Sequence, residues 1–205
     1  ENFAAFGISL QTTETDADER NKNNILAGAP VFHYGRGAIG LVKISGNSPT
    51  INWMSSSEEQ PYSYFGYAVS SGKYFSNSKT YYAGGLPRAN DLKGKVTLFL
   101  PPACSSVSGP CSGTIEGPKS LYGFHVGSYF GSVLYSMDID GDGIDELFVG
   151  APMSCYWDNI NQIQNHQTQN SSDADDGLKR HRNYRDNGCV YVYKMSNNEV
   201  CVYDS

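Results

Sequence analysis

The sequence is poor in three features that mark common classes of protein. No run approaches about 18 consecutive apolar residues, so the chain holds no candidate membrane helix. Basic residues are scattered and the formal net charge is −6, which argues against nucleic acid as a partner, because phosphate binding needs a concentrated Lys/Arg surface. The four histidines show no metal-ligand spacing, and there is no serine elbow or Cys/His signature, which argues against an enzyme.

Helical periodicity and a signal-like first segment are also missing. The chain is rich instead in glycine (22 residues) and tyrosine (15 residues), a composition that favours an all-β domain. Because the chain begins without a signal sequence, we expect a fragment of a longer secreted or membrane-tethered protein. Contact with a membrane is then expected only through parts outside these 205 residues.

The most specific motif is the acidic run Asp-Ile-Asp-Gly-Asp-Gly-Ile-Asp-Glu at residues 138–146. Calcium takes about 6–8 oxygen ligands, and this run offers carboxylates at positions one, three, five and nine and a backbone carbonyl at seven. Asp145, at position eight, is expected to point away from the ion. The alternative is a solvated acidic turn without metal. The candidate Ca²⁺ ligands are Asp138, Asp140, Asp142, the carbonyl of Ile144, and Glu146.

The segments on either side of this run are short and strand-like. Residues 130–137 and 147–149 are rich in aromatic and branched side chains, so the run predicts a metal-clamped β-hairpin and not an EF-hand. Without metal the clustered carboxylates would repel one another. The order of the hairpin is therefore expected to depend on calcium.

The hairpin belongs to a unit that occurs three times. Each unit has a Phe-Gly pair and, 21, 19 and 19 residues later, a segment of the Gly-Ala-Pro type. A further strand is predicted in each unit at residues 38–44, 95–100 and 189–193, with weaker outer candidates at 50–54, 113–116 and 200–203. Small repeated antiparallel sheets predict an all-β, partial β-propeller of about three consecutive blades, with units at residues 1–60, 61–126 and 127–205.

These Phe-Gly…Gly-Ala-Pro (FG-GAP) repeats, with an Asp-x-Asp-x-Asp-Gly loop in one of them, resemble the head of integrin α subunits, a seven-bladed propeller. The resemblance covers nearly the whole chain except residues 154–187 and suggests the third to fifth repeats. It implies a receptor on the extracellular side of the plasma membrane, single-pass when full length. The implied partners are an integrin β subunit and a ligand from the extracellular matrix or a cell surface.

The first two units depart from the metal-binding pattern. Residues 70–78 occupy the loop position of the second unit without a single carboxylate, so no calcium is expected there. The first unit has four acidic residues but no Asp-Gly step, which favours a degenerate acidic turn; these are Glu14, Asp16, Asp18 and Glu19. One metal site is therefore expected.

The resemblance also implies two partner-facing groups. Phe32, His33 and Tyr34 follow the first Gly-Ala-Pro segment, where the family carries an aromatic loop that faces ligand, and Tyr34 aligns best. Tyr67 stands where family members line a cup that receives a basic side chain of the β subunit in a cation–π contact. The equivalent residues Ile8 and Ser132 lack the ring. The alternative is that these aromatic residues only pack the fold.

Five cysteines indicate an oxidising compartment. The predicted pairs are Cys104 with Cys111 and Cys155 with Cys189, with Cys189 to Cys201 as a rival and five free thiols as the alternative.

The insertion at 154–187 has the composition of a flexible loop and carries the glycosylation sequon at Asn170. Taken together, the patterns predict a calcium-dependent adhesion-receptor fragment that acts by binding; a propeller module of a secreted hydrolase and a purely structural repeat are the alternatives.

Overall fold

Short runs of branched, aromatic and small residues form thirteen strands in the computed structural model, which describes residues 4–13, 24–45, 48–55, 59–100, 113–114, 119–154, 188–196 and 199–203. The strands are β1 (Leu10–Thr13), β2 (Asn24–Ala29), β3 (Ala38–Ser45), β4 (Ser48–Ser55), β5 (Val69–Gly72), β6 (Tyr81–Leu86), β7 (Lys95–Phe99), β8 (Gly113–Thr114), β9 (Lys119–Tyr122), β10 (Val133–Met137), β11 (Glu146–Ala151), β12 (Cys189–Ser196) and β13 (Glu199–Tyr203). Two four-residue turns, α1 (Phe32–Gly35) and α2 (Ala89–Leu92), follow β2 and β6.

The strands form three sheets, which we call the first, second and third blades. Their strand orders are β1-β2-β3-β4-β8, β5-β6-β7-β9 and β10-β11-β12-β13. All neighbours are antiparallel except β4 and β8, which run parallel. The structure confirms the prediction of an all-β, partial β-propeller built from three repeated antiparallel sheets.

The outer strand of the second blade is not where the sequence predicted it. Residues 113–116 were expected there, but β8 pairs with Met54 and Ser55 of the first blade. The outer position is filled by β9, whose Leu121 lies opposite Val96 of β7 and is 5% exposed. Burial of an apolar side chain between the blades explains why β9 takes this place. The other predicted strands are confirmed as β3, β4, β7, β12 and β13.

The hydrophobic core lies between the blades. One cluster joins the first and second blades and includes Ile39 and Phe65. The other joins the second and third blades and includes Val96, Phe130 and Val149. Each inner sheet face is therefore covered by its neighbour, as expected for repeats that cannot bury a face alone.

The two glycines of each repeat meet inside their own blade. The amide of the Phe-Gly glycine donates a hydrogen bond to the carbonyl of the Gly-Ala-Pro-type glycine, at 2.8 to 3.1 Å. This contact joins the start of the repeat to the strand that follows the metal-loop position, which accounts for the similar spacing of the two motifs, 21, 19 and 19 residues. The pairs are Gly7 with Gly28, Gly66 with Gly85, and Gly131 with Gly150.

Candidate functional sites

The acidic run connects β10 to β11 as an antiparallel hairpin, as predicted. Met137 lies opposite Glu146 in the register, so the loop closes directly on the last strand pair. Asp138 accepts hydrogen bonds from the amides of Gly141 at 2.7 Å and Gly143 at 2.8 Å. Both glycines have positive φ, a conformation that glycine adopts at little cost. The turn therefore folds around the Asp138 carboxylate.

Three carboxylates converge at the loop end of this hairpin. One oxygen each of Asp138, Asp140 and Glu146 lies within 4.8 Å of the others. Oxygens at about 2.3–2.6 Å from a calcium ion can be up to about 5 Å apart, so the three fit around one ion. Glu146 is only 2% exposed, and its Oε1 accepts no hydrogen bond but lies 3.3 Å from Nζ of Lys194. A buried carboxylate oxygen of this kind favours a bound cation.

Asp142 lies outside this group of three. Its Oδ1 accepts a hydrogen bond from the amide of Ile144 at 2.9 Å, and its Oδ2 lies 2.7 Å from Nζ of Lys194. The Lys194 hydrogen bond, and then that of Ile144, holds the pKa of Asp142 below its usual value. Asp142 thus contributes negative charge beside the three converging carboxylates, and its ligand role stays a prediction.

Sequence reasoning missed Lys194, which lies on β12 beside the hairpin. Its ammonium also contacts Asp140 and lies 3.3 Å from Oε1 of Glu146. Hydrogen bonds to Asp140 and Asp142 raise the pKa of Lys194 above its usual value, so the side chain is charged. No signal in the acidic run points to a residue 54 positions away.

Asp145 points away from the other carboxylates, as expected, and contacts the second blade. Its Oδ2 accepts a hydrogen bond from the amide of Lys73 at 2.6 Å, and its own amide donates to the Lys73 carbonyl at 3.2 Å. Lys73 lies in the carboxylate-free loop of the second blade, residues 70–78. That loop therefore packs against the acidic hairpin.

Tyr74, from the same loop, is fully buried between the second and third blades. Its hydroxyl is 2.6 Å from Oγ of Ser136, which is also 2.6 Å from Oγ of Ser70. Burial raises the pKa of Tyr74, so the phenol stays neutral. A packed tyrosine occupies the loop position where the third blade carries its acidic residues.

The aromatic loop after β2 combines one packed ring with one exposed ring. Phe32 stacks on Trp53 with ring centroids 5.5 Å apart and an interplanar angle of 9°. Tyr34 is 68% exposed, and among the described residues its ring contact is with His33, at 5.6 Å. His33 and Tyr34 have φ of 48° and 58°, which is unfavourable for large side chains. Phe32 thus anchors a turn that holds Tyr34 outward.

Tyr67 is half-buried, and its ring meets the edge of Tyr129 at 6.2 Å. Within the described ranges, the structure contains no ring contact between Tyr67 and Tyr34. Among the described residues, a cation–π contact joins Arg88 to the ring of Tyr64 at 5.0 Å. Sequence reasoning missed this pair.

Comparison with known proteins finds integrin α subunits from several species. No family model matches the chain. It is 44% identical to human integrin alpha-11 over 91 residues, which are 44% of this chain and 7% of that protein. It is 31% identical over 98 residues to Drosophila melanogaster integrin alpha-PS2, and 26% identical over 151 residues to integrin alpha pat-2 of Caenorhabditis briggsae. Over these segments the chain is similar to integrin α subunits.

The matches cover part of each protein only. The aligned segments are 48% of this chain for alpha-PS2 and 74% for alpha pat-2. The chain spans only 6–11% of the length of these relatives. In the regions of the chain that the structure describes, no helix has both the length and the apolar character needed to cross a bilayer.

The cysteine pairings stay predictions. Cys189 is half-buried with a free thiol, and Cys155 lies outside the described ranges. The register disfavours the rival pair, because Cys201 lies opposite Lys194, which is five positions from Cys189, or about 17 Å along the strand. A disulfide needs Cα atoms within about 7 Å.

Several predicted residues lie outside the described ranges. They are Cys104, Cys111, Cys155, the sequon residue Asn170, and the acidic residues Glu14, Asp16, Asp18 and Glu19 of the first unit.

Proposed function

We propose that this chain is part of an extracellular adhesion receptor that acts by binding, together with an integrin β subunit, on the outer side of the plasma membrane. The observation that carries the proposal is the convergence of Asp138, Asp140 and Glu146 on a hairpin of a three-blade array. The similarity to integrin α subunits supports the same function. The ligand class is a protein of the extracellular matrix or of another cell surface.

The chain's own residues would hold calcium at the hairpin. Asp138, Asp140 and Glu146 supply converging oxygens, and Asp142 and the Ile144 carbonyl complete the predicted set. A bound ion would supply positive charge to carboxylates that otherwise repel one another. Because Asp145 contacts Lys73, order in the hairpin would also hold the facing loop of the second blade.

The first test is removal of two acidic residues, Asp140→Ala with Asp142→Ala. At a calcium concentration of about 100 times the Kd, a single site stabilises the folded state by about 2.7 kcal/mol, so the Tm of the unaltered chain should rise by several degrees. The double variant should lose this rise. Scanning calorimetry with calcium and with a chelator measures both.

Asp145→Asn is the matched control for this test. It removes one charge from the same loop, but its amide oxygen can still accept the Lys73 hydrogen bond, so the calcium-dependent rise should persist. The calcium proposal is rejected if the unaltered chain melts at the same temperature with and without chelator.

The second test concerns Tyr34 as a partner contact. Exposed tyrosines at interface centres often contribute about 2 kcal/mol or more, so Tyr34→Ala should weaken capture of a co-expressed integrin β ectodomain by at least about tenfold. Tyr34 is 68% exposed, so folding should be retained. Binding to the immobilised β ectodomain and the circular dichroism spectrum give the two readouts.

Tyr122→Ala is the control for Tyr34→Ala. Tyr122 is 53% exposed on β9, so its replacement removes a similar surface ring away from the α1 turn. Equal capture by both variants and by the unaltered chain would show that Tyr34 is not a partner contact.

A further inference from the structure

Lys194 places a positive charge among the candidate calcium ligands. Its Nζ contacts Asp140 and lies 2.7 Å from Oδ2 of Asp142 and 3.3 Å from Oε1 of Glu146. Two of these carboxylates, Asp140 and Glu146, belong to the three that converge for a metal. Among the residues that the structure describes, Lys194 is the only base that forms an ion pair with this loop.

We propose that Lys194 is a built-in counter-cation of the hairpin, which holds the loop closed without metal and must move away when calcium binds. Two cations cannot share the same carboxylate oxygens without strong repulsion, so the ammonium and the ion compete. Lys194 therefore lowers the calcium affinity of the loop and makes its folding less dependent on the metal. This inference rests on the proposed calcium site.

Burial explains why the loop needs an internal cation. The Glu146 side chain is 3% exposed, and a buried carboxylate without a partner is costly. In the absence of metal, Lys194 is the cation nearest to Glu146 Oε1, and it also neutralises the more exposed Asp140 and Asp142. The hairpin can thus keep its β10–β11 register before calcium arrives.

The geometry also allows Lys194 to leave. The lysine stem has four flexible carbons, and the side chain is 17% exposed, so a small rotation takes the ammonium into water. Its backbone stays paired in β12, between β11 and β13. Displacement then requires no change of sheet register.

The test compares Lys194→Met with Lys79→Met in the purified chain. Methionine keeps the length of the stem but removes the charge, while Lys79 is an exposed lysine between β5 and β6 without an ion pair to the hairpin. Calcium titration calorimetry at constant ionic strength gives the Kd, and the Tm is measured with chelator and with calcium.

Lys194→Met should bind calcium about tenfold more tightly than the unaltered chain, since the competing ion pairs are gone. Its Tm in chelator should be lower and its calcium-induced rise larger, while Lys79→Met behaves like the unaltered chain. Lys194→Arg retains the charge and should keep the weaker affinity. If Lys194→Met does not fold in chelator, its affinity is measured by chelator competition starting from the calcium-loaded protein.

Equal or weaker calcium binding by Lys194→Met overturns the inference while leaving the calcium site intact. Equally tight binding by Lys194→Arg and Lys194→Met also overturns it, because the charge would then have no effect. If neither the unaltered chain nor any variant binds calcium, the proposed calcium site itself fails. If Lys194→Met binds calcium and the unaltered chain does not, the inference is supported, because the Lys194 ammonium then excludes calcium completely.

Discussion

At the residue scale, the glycine of each Gly-Ala-Pro-type segment is required by the approach of the next blade. A Cβ built on Gly28 would lie 1.9 Å from the carbonyl oxygen of Gly66, and one built on Gly85 would lie 1.9 Å from that of Gly131. No side-chain carbon can approach a backbone oxygen so closely. The glycine of this motif is therefore required for one blade to pack against the next, in addition to its hydrogen bond within its own blade.

This contact predicts the cost of Gly85→Ala. The clash is with backbone, which cannot rotate away, so the free energy of unfolding should fall by about 3 kcal/mol or more. Gly150→Ala is the matched control: its Cβ would meet Val133 Cβ at 3.0 Å, and the carbonyl oxygen of Val133 lies at an ordinary contact distance of 3.7 Å, so the loss should be clearly smaller. Urea denaturation measures both, and equal losses would refute this requirement for packing between blades.

At the scale of the element, the acidic hairpin and the carboxylate-free loop of residues 70–78 form one unit. Asp145 and Ser136 of the third blade contact Lys73, Ser70 and Tyr74 of the second. The two loops occupy equivalent positions in their repeats, but one carries charge for a metal and the other carries packing groups. Their contact links the candidate metal centre to the interface between the blades.

Asp145→Ala should weaken this link. The amide of Lys73 loses its acceptor, and an unsatisfied polar group of this kind costs about 1–3 kcal/mol when it is kept from water. Hydrogen exchange at the Lys73 amide should become faster in Asp145→Ala but not in Asp145→Asn, which retains an acceptor oxygen. Unchanged exchange in the alanine variant would mean that the bond is not made in solution.

At the scale of the whole molecule, stability is shared between the blades because both core clusters lie at their interfaces. Phe130 is fully buried, and its ring contacts Tyr191 and Tyr193 of β12. Strand β5 of the second blade lies next to β10 on one side and β1 on the other. Each blade therefore depends on its neighbour, as in other repeat architectures.

Phe130→Ala should destabilise the array by about 3–5 kcal/mol, whereas Phe124→Ala, at a ring that is 61% exposed, should cost much less. In a Trp157→Phe background, Trp53 reports on the first blade alone. If the blades unfold together, Phe130→Ala shifts the Trp53 fluorescence transition along with the circular dichroism transition. A shift in circular dichroism alone would indicate that the blades unfold separately.

Local patterns sufficed for much of this fold. The aromatic and branched side chains of residues 130–137 and 147–149 predicted β10 and β11, and the spacing of carboxylates in residues 138–146 predicted both the hairpin and the outward direction of Asp145. Position 113–116 was misassigned because β8 joins the first blade, and a two-residue strand carries no periodicity that could reveal its partner.

The sequence by itself determined the repeat, its strands and the acidic hairpin, because each depends on residues close together in the chain. The tertiary structure alone decided which groups far apart in the sequence meet, within one blade or between two. Lys194 reaches Asp140 over 54 positions, and Asp145 reaches Lys73 over 72. Such contacts depend on sheet register and on how one blade packs against the next, and no local sequence pattern determines either of them.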